Sequence, residues 1–335
     1  MSQQADLKVA PGAAAVSAPT TERVAPGRLA DLEEQRFKKQ RSLWGNAWRQ
    51  FRRHHMAMAG LIILIFLIFA TFVGSQLYGK AIDEIDFTAT SATMSWAHPM
   101  GTDSLGQDIL ARILWGGRIS ISVGIMAALV AVTLGTAIGA VSGFFGGFSD
   151  SLLMRITDMF ISLPQLPLLL LITYLFRDSM TNFFDDRFNN PNLGVFVLIV
   201  TVIGVLNWMA TARLVRASFL SVKEKEFIEA GRAIGATRSS LIFKHILPNV
   251  MSPIIVAATL GVGAAIITES ALSFLGLGFP SDVPTWGRML YDAKDWIQLS
   301  PHEALFPGMM IFITVLSINY VGDGLRDALD PRKTQ

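Results

Sequence analysis

The sequence predicts an all-α integral membrane protein with six transmembrane helices, and three observations carry that prediction. The 335 residues are 51% hydrophobic and only 16% charged, whereas a soluble domain carries about a quarter charged residues. Mean hydropathy is positive. Six stretches run free of Asp, Glu, Lys and Arg: Met56–Gly79, Ile119–Ser149, Met159–Phe176, Leu193–Ala212, Val250–Thr268 and Ala304–Gly322. A helix needs about 20 residues to cross a hydrocarbon core of about 30 Å. The segments between them alternate in basic content. With the N-terminus inside, 21 of the 28 Lys and Arg residues fall in 1–55, at Arg155, and in 213–249 and 323–335. The positive-inside rule therefore places both termini in the cytoplasm. A buried helix of a soluble protein explains one such run, not six.

In chain order, residues 1–55 form a cytoplasmic tail. They lack the short apolar core and small-residue site of a signal peptide. Ala, Pro, Ser and Thr dominate up to Gly27, a disordered composition. Trp44, Trp48 and Phe51 then fall at helical spacing among Arg41, Arg49, Arg52 and Arg53. This is the pattern of an interfacial amphipathic helix on an anionic leaflet, or of a helix packed on a partner. At the end of the first span, Gly74 to Lys80 matches most of a P-loop. Ala81 stands where the Mg²⁺-binding hydroxyl is needed, and no strand precedes the run. It reads as a chance match, so any ATP is hydrolysed by another chain.

In the second span, Gly135, Gly139 and Gly143 recur every fourth residue. Such a stripe predicts close approach of another helix, with a sliding gate as the alternative. The third span carries Pro164 and Pro167 and is read as starting nearer Arg155, with a proline kink. Asp158 and Glu269 flank apolar spans, near ends where water or a loop can solvate them, while Asn207 and Asn319 lie within spans. His54, His55, His98, His245 and His302 show no ligand spacing, and there is no cysteine, so no metal site is expected. No nucleophile motif such as G-x-S-x-G is present, and no catalytic residue is assigned.

The segment between the fourth and fifth spans is the most informative. Phe227, Ala230 and Ile234 share one face of a short helix. Gly235 suits the left-handed position that ends it. Thr237 is placed to cap a second helix that carries Leu241 and Ile242 and stops at Pro248. Two short helices about a glycine corner make a compact knob, which a mere connector has no need of.

Here the sequence resembles a known family. Glu229-Ala230-Gly231, Gly235-Ala236 and Ile246-Leu247-Pro248 are similar to the EAA loop of permease subunits in binding-protein-dependent ABC importers, with Gly231 in place of the second alanine and His245 in place of an isoleucine. His98 to Arg112 resembles a segment of C-type oligopeptide and dipeptide permeases, apart from Gln107 where arginine is expected. Gly143–Gly147, Leu272–Gly278, Pro284–Gly287 and Gly322–Pro331 are similar to family blocks as well. The resemblance implies a type I importer architecture in a bacterial inner membrane, with residues 56–335 as a six-span permease domain. Loop 226–249 would then be the coupling element on an ATPase subunit. It also implies a second, non-identical permease subunit, two ATP-binding subunits that use ATP and Mg²⁺, an extracytoplasmic solute-binding protein and a short-peptide substrate. It implies no cofactor on this chain and no nucleic-acid partner. Trp96, Trp286 and Trp296, in the outer loops, would line an interfacial belt or meet the solute-binding protein. The same branch includes nickel transporters. An ion-coupled secondary transporter is the rival class, but it requires mid-membrane carboxylate pairs and repeated halves.

Overall fold

The computed structural model describes residues 43–329, and in them helices are joined by loops with only two isolated β-bridges. The predicted tail up to Gly27, Arg41 and the side chain of Trp44 lie outside what is described. Four helical stretches are long and apolar enough to cross a membrane, or up to six if each of two bent pairs makes one span. The six predicted spans map onto these, with changes of boundary and of shape.

Helix α1 (Leu43–Arg53) is followed directly by α2 (His55–Phe69), whose N-cap is the His54 ring, accepting from Ala57 N at 3.1 Å. Trp48 of α1 stacks on Phe51. Phe51 itself is buried with Ala57, Val321 and Ala328, over the hollow left by Gly324. The expectation that all the aromatics of this helix face lipid or a partner is thus corrected. Phe51 anchors α1 on the chain's own bundle. Beyond α2 the span continues through a π turn, Ala70–Gly74, to Leu77. A π turn leaves carbonyls misaligned for the helix ladder, and Arg118 donates to Thr71 O and Phe72 O at 2.9 Å.

Helix α3 (Ile109–Phe145) begins ten residues before the predicted second span because Asp108 caps it, accepting from Ala111 N at 3.0 Å. Its 37 residues rise about 55 Å. It ends where Gly146 and Gly147 both take positive φ. The stripe glycines lie flat against α7 (Trp208–Lys223): a Cβ would come within 2.6 Å of Thr211 at Gly135, 2.5 Å of Ala212 O at Gly139 and 2.7 Å of Phe219 at Gly143. The packing is therefore within the chain, backbone to backbone.

The third span departs most from expectation. Helices α4 (Gly147–Ser162) and α5 (Gln165–Phe188) meet at 88°, so the proline kink is a full break. Leu163, which precedes Pro164, is extended (φ −78°, ψ 140°), as pre-proline residues prefer. Helix α5 runs twelve residues past Phe176 to an Asn189 cap in the left-handed region. The fourth span is also bent, by 43°, between α6 (Pro191–Val205) and α7. Asn207 sits in that break, where its amide donates to Ile203 O at 2.7 Å and accepts from Gln165 at 3.0 Å. Asn207 thus satisfies backbone freed by the bend. The fifth span is α9 (Met251–Phe274) and the sixth α11 (Pro301–Leu329).

Helix α3 is central. It packs on α7 through the stripe, on α9 through Gly124 against Ile266, and on α6 through Val130 against Gly204. Helix α11 bridges α2 (Gly60 against Ser317) and α9 (Gly263 against Ile318). Among the described residues, one end of the bundle carries most of the Lys and Arg, together with α1, the α3–α4 turn and the 224–250 segment. The opposite end carries residues 78–108 and 275–303.

Candidate functional site

At the basic end, α8 (Glu226–Ala233) has Glu226 and Glu229 in its first turn and Arg232 in its last, the charge order that a helix dipole favours. Its two faces differ. Ile228, fully buried, and Gly231 turn inward. Ile228 joins Phe144, Val215, Phe219, Leu241, Ile246, Val250 and Ile254 in one apolar cluster. Phe227, Ala230 and Ile234, the face read from the sequence, turn outward, with Ile234 87% exposed. Phe243 adds a fourth exposed apolar side chain. Sequence reasoning missed Ile228. The i, i+3 pair Ile228–Gly231 was available, but the more hydrophobic 227/230/234 set masked it.

Gly235 closes α8 with φ +81°. Its N–H donates to Arg232 O at 3.0 Å, and the Ala236 N–H reaches back to Gly231 O at 3.0 Å. These two bonds are a Schellman turn, which requires the left-handed residue that glycine supplies. Thr237 follows as N-cap, its hydroxyl accepting from Ser240 N. The second helix does not stop at Pro248, contrary to expectation. Arg238–Ser240 leads into a π turn, Leu241–Ile246, then a 3₁₀ turn, Leu247–Val250, and on into α9. A widened turn before a proline relieves its clash with the carbonyl four residues back. Asn249 Nδ2 donates to His245 O at 2.6 Å, occupying a carbonyl at the transition.

The residues singled out from sequence therefore fall into two groups. Glu229, Ala230, Gly235 and Pro248 are exposed; Gly231 and Ile246 are buried, and Ala236 and Leu247 are partly buried in the seat beneath. The seat is tied to the bundle. Lys223 Nζ donates to Phe144 O at 2.6 Å, and Arg216 Nη2 donates to Asp150 Oδ2 at 2.6 Å. The result is an exposed apolar face among charges, held by its own capping.

The opposite end is organised by carboxylates. Besides capping α3, Asp108 accepts from Tyr78 OH and Lys80 Nζ, both at 3.1 Å, and lies 2.9 Å from His98 Nδ1. Burial works against its charge, yet the Ala111 N–H, Lys80, His98 and Tyr78 hold its carboxyl below the usual range. Lys80, the would-be P-loop lysine, is thus committed to an ion pair. Gln107 accepts from Arg112, which also lies near Asp103 and Asp292. Trp286 corrects the belt reading. It is fully buried at the head of α10 (Trp286–Ala293) and donates Nε1–H to Ile113 O at 3.1 Å. Trp96 is fully exposed and Trp296 41% exposed. Asp158 pairs with Arg213. Glu269, expected to be solvated, is instead wholly buried.

Residues 135–335 match the family described as binding-protein-dependent transport system inner membrane component, and residues 42–94 match the N-terminal TM domain of oligopeptide transport permease C. The chain is 38% identical over 305 residues to a glutathione transport system permease protein, GsiD, of Pectobacterium atrosepticum, covering 91% of this chain and 96% of that one. It is 40% identical over 307 residues to the oligopeptide transport system permease protein OppC of Haemophilus influenzae, covering 91% and 94%. It is 38% identical over 295 residues to the dipeptide transport system permease protein DppC of Alkalihalophilus pseudofirmus, covering 87% and 90%. A chain of the inward-facing MetNI methionine ABC transporter aligns at a TM-score of 0.49 and 18% identity, over 65% of this chain and 96% of that one.

Proposed function

This chain belongs to the family of binding-protein-dependent transport system inner membrane components, and on that premise we propose how it works and what it carries. It is one of two permease subunits of an ATP-driven importer, forming half of a path for short peptides. The cargo class rests on the oligopeptide, dipeptide and glutathione names of its relatives. Two ATP-binding subunits lie beneath the basic end, and an extracytoplasmic binding protein delivers solute to the opposite end. Both termini are cytoplasmic, as the basic asymmetry favours. ATP and Mg²⁺ act on the partner subunits, with no nucleotide bound by this chain.

The observation that carries the reading is the outward face of α8. Phe227, Ala230 and Ile234 are exposed on a helix whose other face is locked by Ile228 and whose end is fixed by the Gly235 turn. A docking helix must be apolar outward and immobile at its base, so that closure of the ATPase pair moves the spans and not the loop alone. Through Thr237 and the π and 3₁₀ turns the displacement passes directly into α9.

A photo-crosslinking residue introduced at Ala230 in the assembled transporter is expected to join this chain to an ATP-binding subunit, while one at buried Ile228 gives no adduct. Failure of the Ala230 adduct in a complex that transports sinks the docking assignment. Because the chain has no cysteine, Ser239→Cys also reports orientation alone. It is expected to react with an impermeant thiol reagent only in permeabilised cells.

A further inference from the structure

Glu269, on α9 at the end of the bundle remote from the docking face, is 0% exposed. The groups that surround it are hydroxyls: Ser120, Ser270, Ser273 and Thr285. Ser273 Oγ donates to Glu269 Oε1 at 2.8 Å, and Ser120 Oγ donates to Oε2 at 3.4 Å. Ser120 in turn accepts the Trp286 N–H at 3.2 Å. One carboxyl thus joins α9 to α3 and, through Ser120, to the head of α10. The backbone around it is as close as backbone can come. A Cβ on Gly287 would lie 2.5 Å from Ser270 Cα, and one on Gly116 would run into Pro284 O. Ser270 Oγ is buried there as well.

A wholly buried carboxyl among hydroxyls has no counter-charge to offset its desolvation. What it supplies is hydrogen bonding from both oxygens, to elements that would otherwise only touch. Its place on α9 gives that bonding a consequence. Met251, where α9 begins, follows directly from the turns that seat the docking surface. Eighteen residues of uninterrupted helix, about 27 Å, separate it from Glu269. The same rod carries the candidate coupling surface at one end and this carboxyl at the other.

We propose that Glu269 is a positioning residue: a hydrogen-bonded latch that makes the 280–300 segment, headed by Trp286, travel with α9 when the coupling surface moves. The latch rests on the permease reading above and concerns the outer closure, not the docking. Its test uses the assembled transporter in vesicles, with Ser281→Cys as the only cysteine, since Ser281 is exposed on that segment. The rate of reaction with an impermeant thiol reagent is compared without nucleotide and after trapping with ATP and vanadate. With Glu269 in place the rates differ by at least about fivefold, the low end of coupling between sites. Glu269→Gln, which keeps an acceptor for Ser273 and a neutral group facing Ser120, preserves that ratio and peptide uptake. Glu269→Ala and, separately, Ser120→Ala collapse the ratio toward one while vanadate-sensitive ATP hydrolysis persists.

A ratio that survives in both alanine variants overturns the latch, as does Glu269→Gln behaving like Glu269→Ala while Glu269→Asp restores function, since that pattern demands charge. If the unsubstituted segment shows no nucleotide-dependent difference, the latch also falls. ATP-stimulated uptake then decides the permease reading independently.

Discussion

Gly235 and the pair Gly116 and Gly287 use glycine for opposite purposes, and the contrast between these two regions separates what is presented from what is sealed. At the basic end Gly235 stands in open space, with nothing within 4 Å of the position a Cβ would take, and its need is a φ of +81°. At the opposite end Gly116 and Gly287 have ordinary φ and no room at all. The apolar side chains beside these glycines differ in the same way, although Trp96 and Phe87 at the second end are exposed. Ile234 and Phe243 project outward at the first end, while Trp286, Phe279 and Val283 are 2% exposed or less at the second. A surface held out by its own turns is what the proposed docking requires. A knot of backbone contacts is what the proposed latch would move as one piece.

The largest effect is expected where the knot is tightest. Gly116→Ala sets a methyl against the Pro284 carbonyl, which is backbone and has no rotamer to yield. Overpacking typically costs about 1–3 kcal/mol, and an immovable neighbour puts this site at or above the upper end. Membrane abundance of the chain, read by immunoblot of purified membranes, is expected to fall severely. Normal abundance would show the 284–287 turn to be pliable and would erase the contrast between the ends.

At Gly235 the same logic predicts a different failure. Gly235→Val meets no neighbour, but a side chain in the left-handed region costs roughly 1–2 kcal/mol, and more when β-branched. The strain falls on the Schellman turn and tilts α8 on its seat, leaving the spans to insert as before. Abundance is expected to stay near normal while peptide uptake and solute-stimulated ATP hydrolysis drop by about tenfold or more, the equivalent of about 1.4 kcal/mol. Full uptake would detach this loop from coupling.

The basic end was more legible in the sequence than its counterpart, for a physical reason. Capping and turn chemistry are local, so Gly235 and Thr237 could be placed from their immediate neighbours. The spans were legible through length and the absence of charge. What could not be read were features that depend on distant partners. Trp286 looks like any loop tryptophan until Ile113 O and Ser120 are brought to it from α3. Glu269 looks like a span-end acid until Ser120, 149 residues away in sequence, closes over it. Phe51 reads as facing lipid or a partner subunit because the hollow at Gly324 lies at the far end of the sequence. The 88° break at Pro164 was underestimated because a proline in a span signals a bend without fixing its size. Pro248 misled in the other direction, since the π turn that accommodates it carries no residue signature of its own.

The smallest effect is expected at Gly231, and it sharpens the comparison most. This glycine replaces the second alanine of the family's motif, and it is buried, as Gly116 is. By burial alone, alanine at both sites should be equally damaging. The surroundings differ in kind. A Cβ at Gly231 would lie 3.2 Å from Leu241 Cδ2 and within 4 Å of nothing else. That atom is the end of a flexible side chain, and a shift of a few tenths of an ångström restores ordinary contact. Gly231 is also helical, where alanine is the better residue by about 1 kcal/mol. Its carbonyl, which accepts the Ala236 N–H in the turn, is untouched by the substitution. The helix gain and the packing cost are of similar size and opposite sign. Gly231→Ala is therefore expected to change uptake by less than about twofold and to leave abundance unchanged, with the thermal midpoint of the purified complex the same or slightly higher. Should Gly231→Ala instead abolish coupling while the complex still assembles, α8 would have to lie closer to its seat than Leu241 can accommodate. The buried face of α8 would then belong with the sealed end of the molecule, not with the presented one.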